Sequence, residues 1–152
     1  MVERGPGSWA TACVGKRGWT SVMWAATSAE SGMFHPDERR SGVKDLSDHF
    51  NDLRSCGQGY LEVWSPAREF PVLCLAFRAN HAVVHLMSDT DRMSLLVGDG
   101  TVPSGAEVEV PIMDELAVFT GNFVLDADRA WELVHDFTQT WAAGPLGKWC
   151  EL

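Results

Sequence analysis

The sequence predicts an α+β domain: a mostly antiparallel sheet, with a short helix in the N-terminal half and a longer helix near the C-terminus packed on one face. Three observations carry this. Two short apolar runs, FPVLCLAF (Phe70–Phe77) and AVVHLM (Ala82–Met87), flank the polar break Arg78-Ala79-Asn80-His81, as the strands of a hairpin flank their turn. Two further stretches repeat apolar residues at helical spacing. The order strand, helix, run of strands, helix then sets the helices against one face of an antiparallel sheet.

In chain order, residues 1–18 are rich in Gly and small residues without a period and read as a flexible leader to a single domain over 19–152. Trp19–Ala25 alternates as a first strand, with Ser21 and Met23 facing one way and Val22 and Trp24 the other. Residues 26–42 are polar and read as a loop. Val43, Leu46, Phe50 and Leu53 then form the apolar stripe of a short helix, with Ser41 as its N-cap and Gly57 as its stop. Tyr60–Trp64 is a strand that feeds the central hairpin. Ser88–Arg92 is a polar turn, and Met93–Val97 a fourth strand of the sheet. Gly98-Asp99-Gly100 reads as a hairpin turn, since it lacks the Lys and the following helix that cradle phosphate. Glu107–Met113 alternates with Val108, Val110 and Ile112 inward and Glu107 and Glu109 outward, and Pro111 means that it lies at an edge or ends early. A short strand is expected around Ala117–Thr120. Asp126–Trp141 is the longest helix, with Ala130, Leu133, Val134, Phe137 and Trp141 as its apolar stripe, Asp126 and Asp128 on the positive end of its dipole, and Gly144-Pro145 after it as the stop.

Seven Trp and seven Phe against one Tyr make a heavy aromatic load for 152 residues, shared between a core and a binding surface. Net charge is −9 and uneven: residues 1–43 hold five Lys/Arg against four Asp/Glu, residues 44–152 seven against seventeen. Such an acidic chain does not bind nucleic acid by neutralising phosphates. No apolar run approaches the roughly 20 residues that span a bilayer, and no secretory signal opens the chain, so a cytoplasmic protein with reduced thiols is expected. Cys13, Cys56, Cys74 and Cys150 form no CxxC or zinc-type cluster.

Motifs of catalysis are missing: there is no GxSxG, HExxH or phosphate loop. His81 and His85 share a strand face at four-residue spacing, but a metal pair needs a third ligand and ordinary packing is the simpler reading. Asp89 and Asp91 resemble the start of a calcium loop without its Gly and Glu, which leaves a solvated turn. No metal and no cofactor are expected.

One resemblance is visible. Phe70-Pro71 leading a hairpin strand, Ala82-Val83-Val84 in its partner, a Gly-containing loop at Val97–Gly100, and Pro145, Trp149 and Glu151-Leu152 after the last helix stand in the order seen in the Imm1 family of immunity proteins. The chain resembles that family from about Asp45 to Leu152. Gly144 stands where the family has Arg, and His85 where it has an aromatic residue, differences that bear on which toxin is bound. The resemblance implies a non-enzymatic cytoplasmic antitoxin that binds a cognate toxin domain 1:1, often of the deaminase superfamily, and blocks its active site. Charge agrees with that, because a deaminase acting on nucleic acid needs a basic groove and an acidic partner complements it. Candidate partner-binding residues are the loop acids Asp89, Asp91, Asp99, Asp114 and Glu115, with Trp149 and Glu151 near the end. Against this stand two plainer readings. Each loop acid is by default a solvated charge, and Trp149 a plug for the core. A small α+β enzyme or ligand-binding domain, with a pocket around His81, His85 and Asp99, is the alternative function, and a scaffold partner in an unrelated assembly a third.

Overall fold

A computed structural model of the protein describes residues 21–152. The expected leader, and the first two residues of the expected first strand, lie outside the described residues. Strands β1 (Ser21–Thr27) and β2 (Phe34–Gly42) lead into α1 (Val43–Cys56), followed by β3 (Gln58–Trp64), β4 (Val72–Arg78), β5 (His81–Met87) and β6 (Met93–Leu96). After a loop come β7 (Glu107–Ile112) and β8 (Glu115–Thr120), a short β9 (Leu125–Asp126), α2 (Ala127–Thr140) and β10 (Trp149–Glu151). The fold is α+β, with a mostly antiparallel sheet and one helix in each half, as the sequence predicts.

An eight-stranded sheet runs in the order β10-β6-β5-β4-β3-β1-β2, with β9 paired to the first residues of β5. The β4–β5 hairpin lies at its centre, Leu75 opposite Val84. Alternation along these strands builds two cores, one on each face. Leu73, Leu75, Phe77, Ala82, Val84 and Leu86 face the helices. There α1 contributes Leu46, Phe50 and Leu53, and α2 contributes Ala130, Leu133, Val134 and Phe137. The Phe50 ring stacks on Trp131 of α2 at 4.8 Å and meets Phe77 edge-on at 5.4 Å, so one side chain links both helices to the sheet. Cys74, Ala76, Val83 and Leu95 face the other way and are covered by the β7–β8 hairpin through Val110, with Val102 and Val124 beside it. The molecule therefore has three layers, not two.

Several expectations need correction. Residues 34–42, read as loop, form β2, which among the described residues pairs with β1 alone. Its side chains are almost all exposed, so backbone pairing holds it and no apolar alternation marks it in the sequence. Ser41 does not cap α1. Gly42 occupies that position without a side-chain cap, while the Ser41 hydroxyl accepts a hydrogen bond from Trp24 Nε1 at 2.9 Å. The segment Glu107–Ile112 is not part of the main sheet. Among the described residues it pairs with β8 alone, which explains how Pro111 fits within a strand, because one side of that strand needs no ladder. Gly98–Gly100 is not a hairpin turn but part of the loop that carries the chain from the main sheet to this second one. The last helix ends where the sequence places it, with Trp141 as its C-cap, but the stop is Trp141 itself, whose φ of 58° turns the backbone left-handed, and not Gly144-Pro145.

Other local signals act as expected. Gly57 ends α1 at φ 95°, a conformation in which glycine alone is unstrained, and its N–H reaches the Leu53 and Arg54 carbonyls. Asp126 caps α2, its carboxylate accepting from the N–H groups of Asp128 and Arg129 at 3.1 and 3.2 Å.

Candidate partner-binding surface

The acids proposed from the sequence sit at three places. Asp89 and Asp91 lie in the exposed β5–β6 turn, where Asp89 accepts the Asp91 N–H at 2.8 Å and stands 3.7 Å from Arg92. Pairing of β10 with β6 sets Glu151 opposite Ser94, towards the end of β6 that leaves this turn. Asp99 stands apart, tying its loop to α2: one oxygen accepts the Thr101 N–H at 2.9 Å, the other the Asp126 N–H at 3.2 Å. Burial alone would raise the Asp99 pKa, but hydrogen bonds from the Thr101 hydroxyl and nearby backbone N–H groups outweigh it and hold the carboxyl below its usual value. Asp114 and Glu115 are at the tip of the β7–β8 hairpin. Asp114 accepts the Phe34 N–H at 2.7 Å, which fixes the tip to the start of β2. Trp149 is half-buried against the helix-side core and donates from Nε1 to the Ala143 carbonyl at 3.0 Å, so most of this ring serves packing.

Acid and exposed apolar surface coincide at the hairpin tip, as they do on a smaller scale where Met93 and Leu152 adjoin Asp91 and Glu151. Met33, Met113, Leu116 and Val118 are 54%, 48%, 50% and 54% exposed. Beside them a groove of about 340 Å³ runs between the β1–β2 turn, the end of α1 and the hairpin, lined in part by Thr27, Leu53, Cys56, Pro111, Asp114 and Glu115. Glu107 and Glu109 add exposed carboxylates on β7, with Glu109 3.3 Å from Arg78. Of the described tryptophans Trp24 is buried and Trp64, Trp131, Trp141 and Trp149 are half-buried, while the exposed apolar side chains of the hairpin are Met113, Leu116 and Val118. Leu116 and Val118 were hidden in the sequence because both parities of ELAVFT are apolar, and nothing local says which one faces water.

Titratable groups with strongly shifted pKa values lie elsewhere, beneath the hairpin. Register places Glu62, Cys74 and His85 side by side on β3, β4 and β5. The Tyr60 hydroxyl donates to Glu62 at 2.6 Å. Burial, aided by the Glu62 charge, pushes the Cys74 thiol up to about 12, although a hydrogen bond with Tyr60 acts the other way. Burial pushes His85 down to about 4, and its ring sits edge-on to Phe119 at 5.4 Å. Near neutral pH the row thus holds a thiol and a neutral imidazole, both almost wholly shielded from water. His81 lines a different, shallow groove with Arg78, Glu107 and Glu109. The three residues of the enzyme alternative, His81, His85 and Asp99, therefore have separate surroundings.

Among the described residues no three His, Cys, Asp or Glu converge to hold a metal ion, and no helix is long and apolar enough to cross a membrane. No protein-family model matches the chain, and neither does any curated protein.

Proposed function

We propose that the protein is an immunity protein: an antitoxin that binds a cognate bacterial toxin domain in a 1:1 complex and covers its active site. The toxin is of the nucleic-acid deaminase kind, the setting is the cytoplasm, and the protein itself catalyses nothing and takes no cofactor. The observation that carries this reading is the hairpin of β7 and β8, which presents aliphatic side chains to solvent inside a rim of Glu107, Glu109, Asp114 and Glu115. Isolated exposed apolar residues are ordinary, but a contiguous group rimmed by charge suits a protein partner. A toxin that grips nucleic acid presents Lys and Arg around an apolar pocket, and an acidic rim around an apolar centre complements both. The resemblance to the Imm1 family supports the same reading. Phe70-Pro71 leads into β4, Ala82-Val83-Val84 lies in β5, and Trp149 and Glu151 lie in β10.

The experiment is co-expression with the toxin domain encoded beside this chain, read by growth and by size-exclusion chromatography. Rescue together with a co-eluting 1:1 complex is expected. A toxin lethal alone that is neither bound nor neutralised would refute the reading and move attention to small ligands of the groove beside Cys56 and Asp114.

A further inference from the structure

The hairpin has a feature that charge and shape alone do not use. A two-residue turn, Met113-Asp114, closes on the Ile112–Glu115 pair. Such a turn closes on a hydrogen-bonded pair, and bonded and non-bonded pairs then alternate along the ladder. Leu116, Val118 and Thr120, opposite Pro111, Glu109 and Glu107, therefore direct their backbone N–H and C=O groups away from β7. Pro111 agrees with this phase, since it has no N–H to offer. β7 is the strand that lies across the main sheet, over β3, β4 and β5, and it leaves β8 on the outside. Among the described residues no other strand pairs with β8, and no turn or loop bond reaches Leu116, Val118 or Thr120.

Edge strands in monomeric proteins are protected by Lys, Pro, bulges or a covering element. The sequence of β8, ELAVFT, contains neither Lys nor Pro, and Leu116 and Val118 expose half their surface beside the open ladder. We propose that the free edge of β8 is a docking strand, to which an extended segment of the toxin adds as a third strand of the hairpin sheet. This rests on the immunity-protein reading above and specifies its contact. The incoming strand carries apolar side chains beside Leu116 and Val118, and Lys or Arg beside Glu115 at the head of β8, with the carboxylates of Glu107 and Glu109 one strand further on β7. Charge selects this occupant over a second copy of the chain, because two molecules of net charge −9 repel. Backbone bonds supply the affinity of such an addition, and the alternating side chains its specificity.

The test is Val118→Pro. The Val118 N–H points out of the ladder, where proline is tolerated, so the hairpin persists while one docking bond is lost and the ring blocks approach. Circular dichroism and a melting curve check the fold. With the adjacent toxin domain, affinity is expected to fall at least about tenfold, roughly the effect of one lost hydrogen bond. A variant that folds and binds the toxin as the wild type does would overturn the edge and leave the antitoxin reading standing. A second arm needs neither toxin nor variant: a ten-residue peptide alternating Lys and Val, compared with the same peptide N-methylated at every second residue. Binding of the plain peptide alone, even where no toxin is neutralised, would uphold the edge as a strand-accepting site while the antitoxin reading falls. Equal binding of the two peptides, or none by either, would overturn it. A concentration-dependent dimer of the free chain, abolished by Val118→Pro, would overturn the assignment of the edge to a toxin.

Discussion

Acid should destabilise this fold through His85, over a pH window that the structure sets. The ring is buried beneath the hairpin, with Cys74 beside it on β4, Leu95 on β6 and Phe119 over it on β8. The nearest carboxylate in the row is Glu62, one strand beyond Cys74. Burial lowers the His85 pKa from 6.5 to about 4. Because the folded pKa lies below the unfolded one, the unfolded chain binds the proton more readily, and stability falls as pH drops from about 6.5 towards 4. Each tenfold difference in proton affinity between the folded and unfolded chain is worth about 1.4 kcal/mol, so His85 removes about 2 kcal/mol by pH 5 and about 3 kcal/mol by pH 4. Carboxylates such as Asp99, whose pKa is also lowered, act in the same direction, so the wild-type curve alone does not isolate the histidine. His85→Leu does, because it fills similar space without a titrating group. Urea unfolding of both proteins at pH 7.5, 6, 5 and 4.5 should show the wild type losing about 2 kcal/mol more than the variant between pH 7.5 and pH 5, whichever is the more stable at the start. Parallel curves would mean that His85 is hydrated or paired in the folded state, and the account of the covered face would be wrong.

Three other outcomes are expected. Phe50→Ala should cost about 3–5 kcal/mol in urea unfolding, since it removes the ring that joins α1 to Trp131 and Phe77. Asp126→Ala should cost about 1 kcal/mol by the same assay, with Asp126→Asn retaining most of the cap, because the position needs a side-chain acceptor for two N–H groups. At Gly121 a Cβ would overlap the Pro103 carbonyl, so Gly121→Ala should destabilise by roughly 2–3 kcal/mol and raise amide exchange across β7 and β8 before the rest of the sheet.

What the sequence made legible follows from where burial writes a pattern. α1 and α2 each bury one continuous face, so their periods are visible, and the β4–β5 hairpin, buried on both faces, shows as two unbroken apolar runs; the limits of all four fall within a few residues of the expected ones. β2 buries almost nothing and is held by its ladder to β1, so HPDERRSG reads as a loop. For β7 the alternation of Val108 and Val110 announced a strand but not its partner. A strand covering the second face and a strand extending the main sheet bury the same residues, and only the path of the chain distinguishes them. Of the candidate acids, Asp114 and Glu115 fall beside the exposed aliphatic face, whereas Asp99 is occupied by backbone N–H groups. Sequence treats these carboxylates alike, because what separates them is the set of donors the fold brings from distant positions such as Phe34 and Asp126.

The two faces of the sheet differ in a way that bears on how such a protein could bind strongly and stay folded. On the helix side Phe50, Phe77 and Phe137 are almost completely enclosed, and α1 and α2 both anchor there. On the other side the cover is a two-stranded hairpin, fixed at its tip by Asp114 to the Phe34 N–H and along β7 by Val110. A lone two-stranded hairpin is marginal in water and gains from a further strand or a packed face. Here β7 has its packed face, and β8 lacks its further strand among the described residues. A partner strand added at β8 would complete both requirements, so docking should stabilise the hairpin more than the rest of the domain. Amide exchange provides the measure. Protection gained on toxin binding should concentrate at Leu116, Val118 and Thr120, whose N–H groups face the open edge. Residues such as Leu75 and Val84, already paired at the centre of the main sheet, should change little. Protection spread evenly over both faces would favour a contact made by charge alone, with the ladder edge left unused.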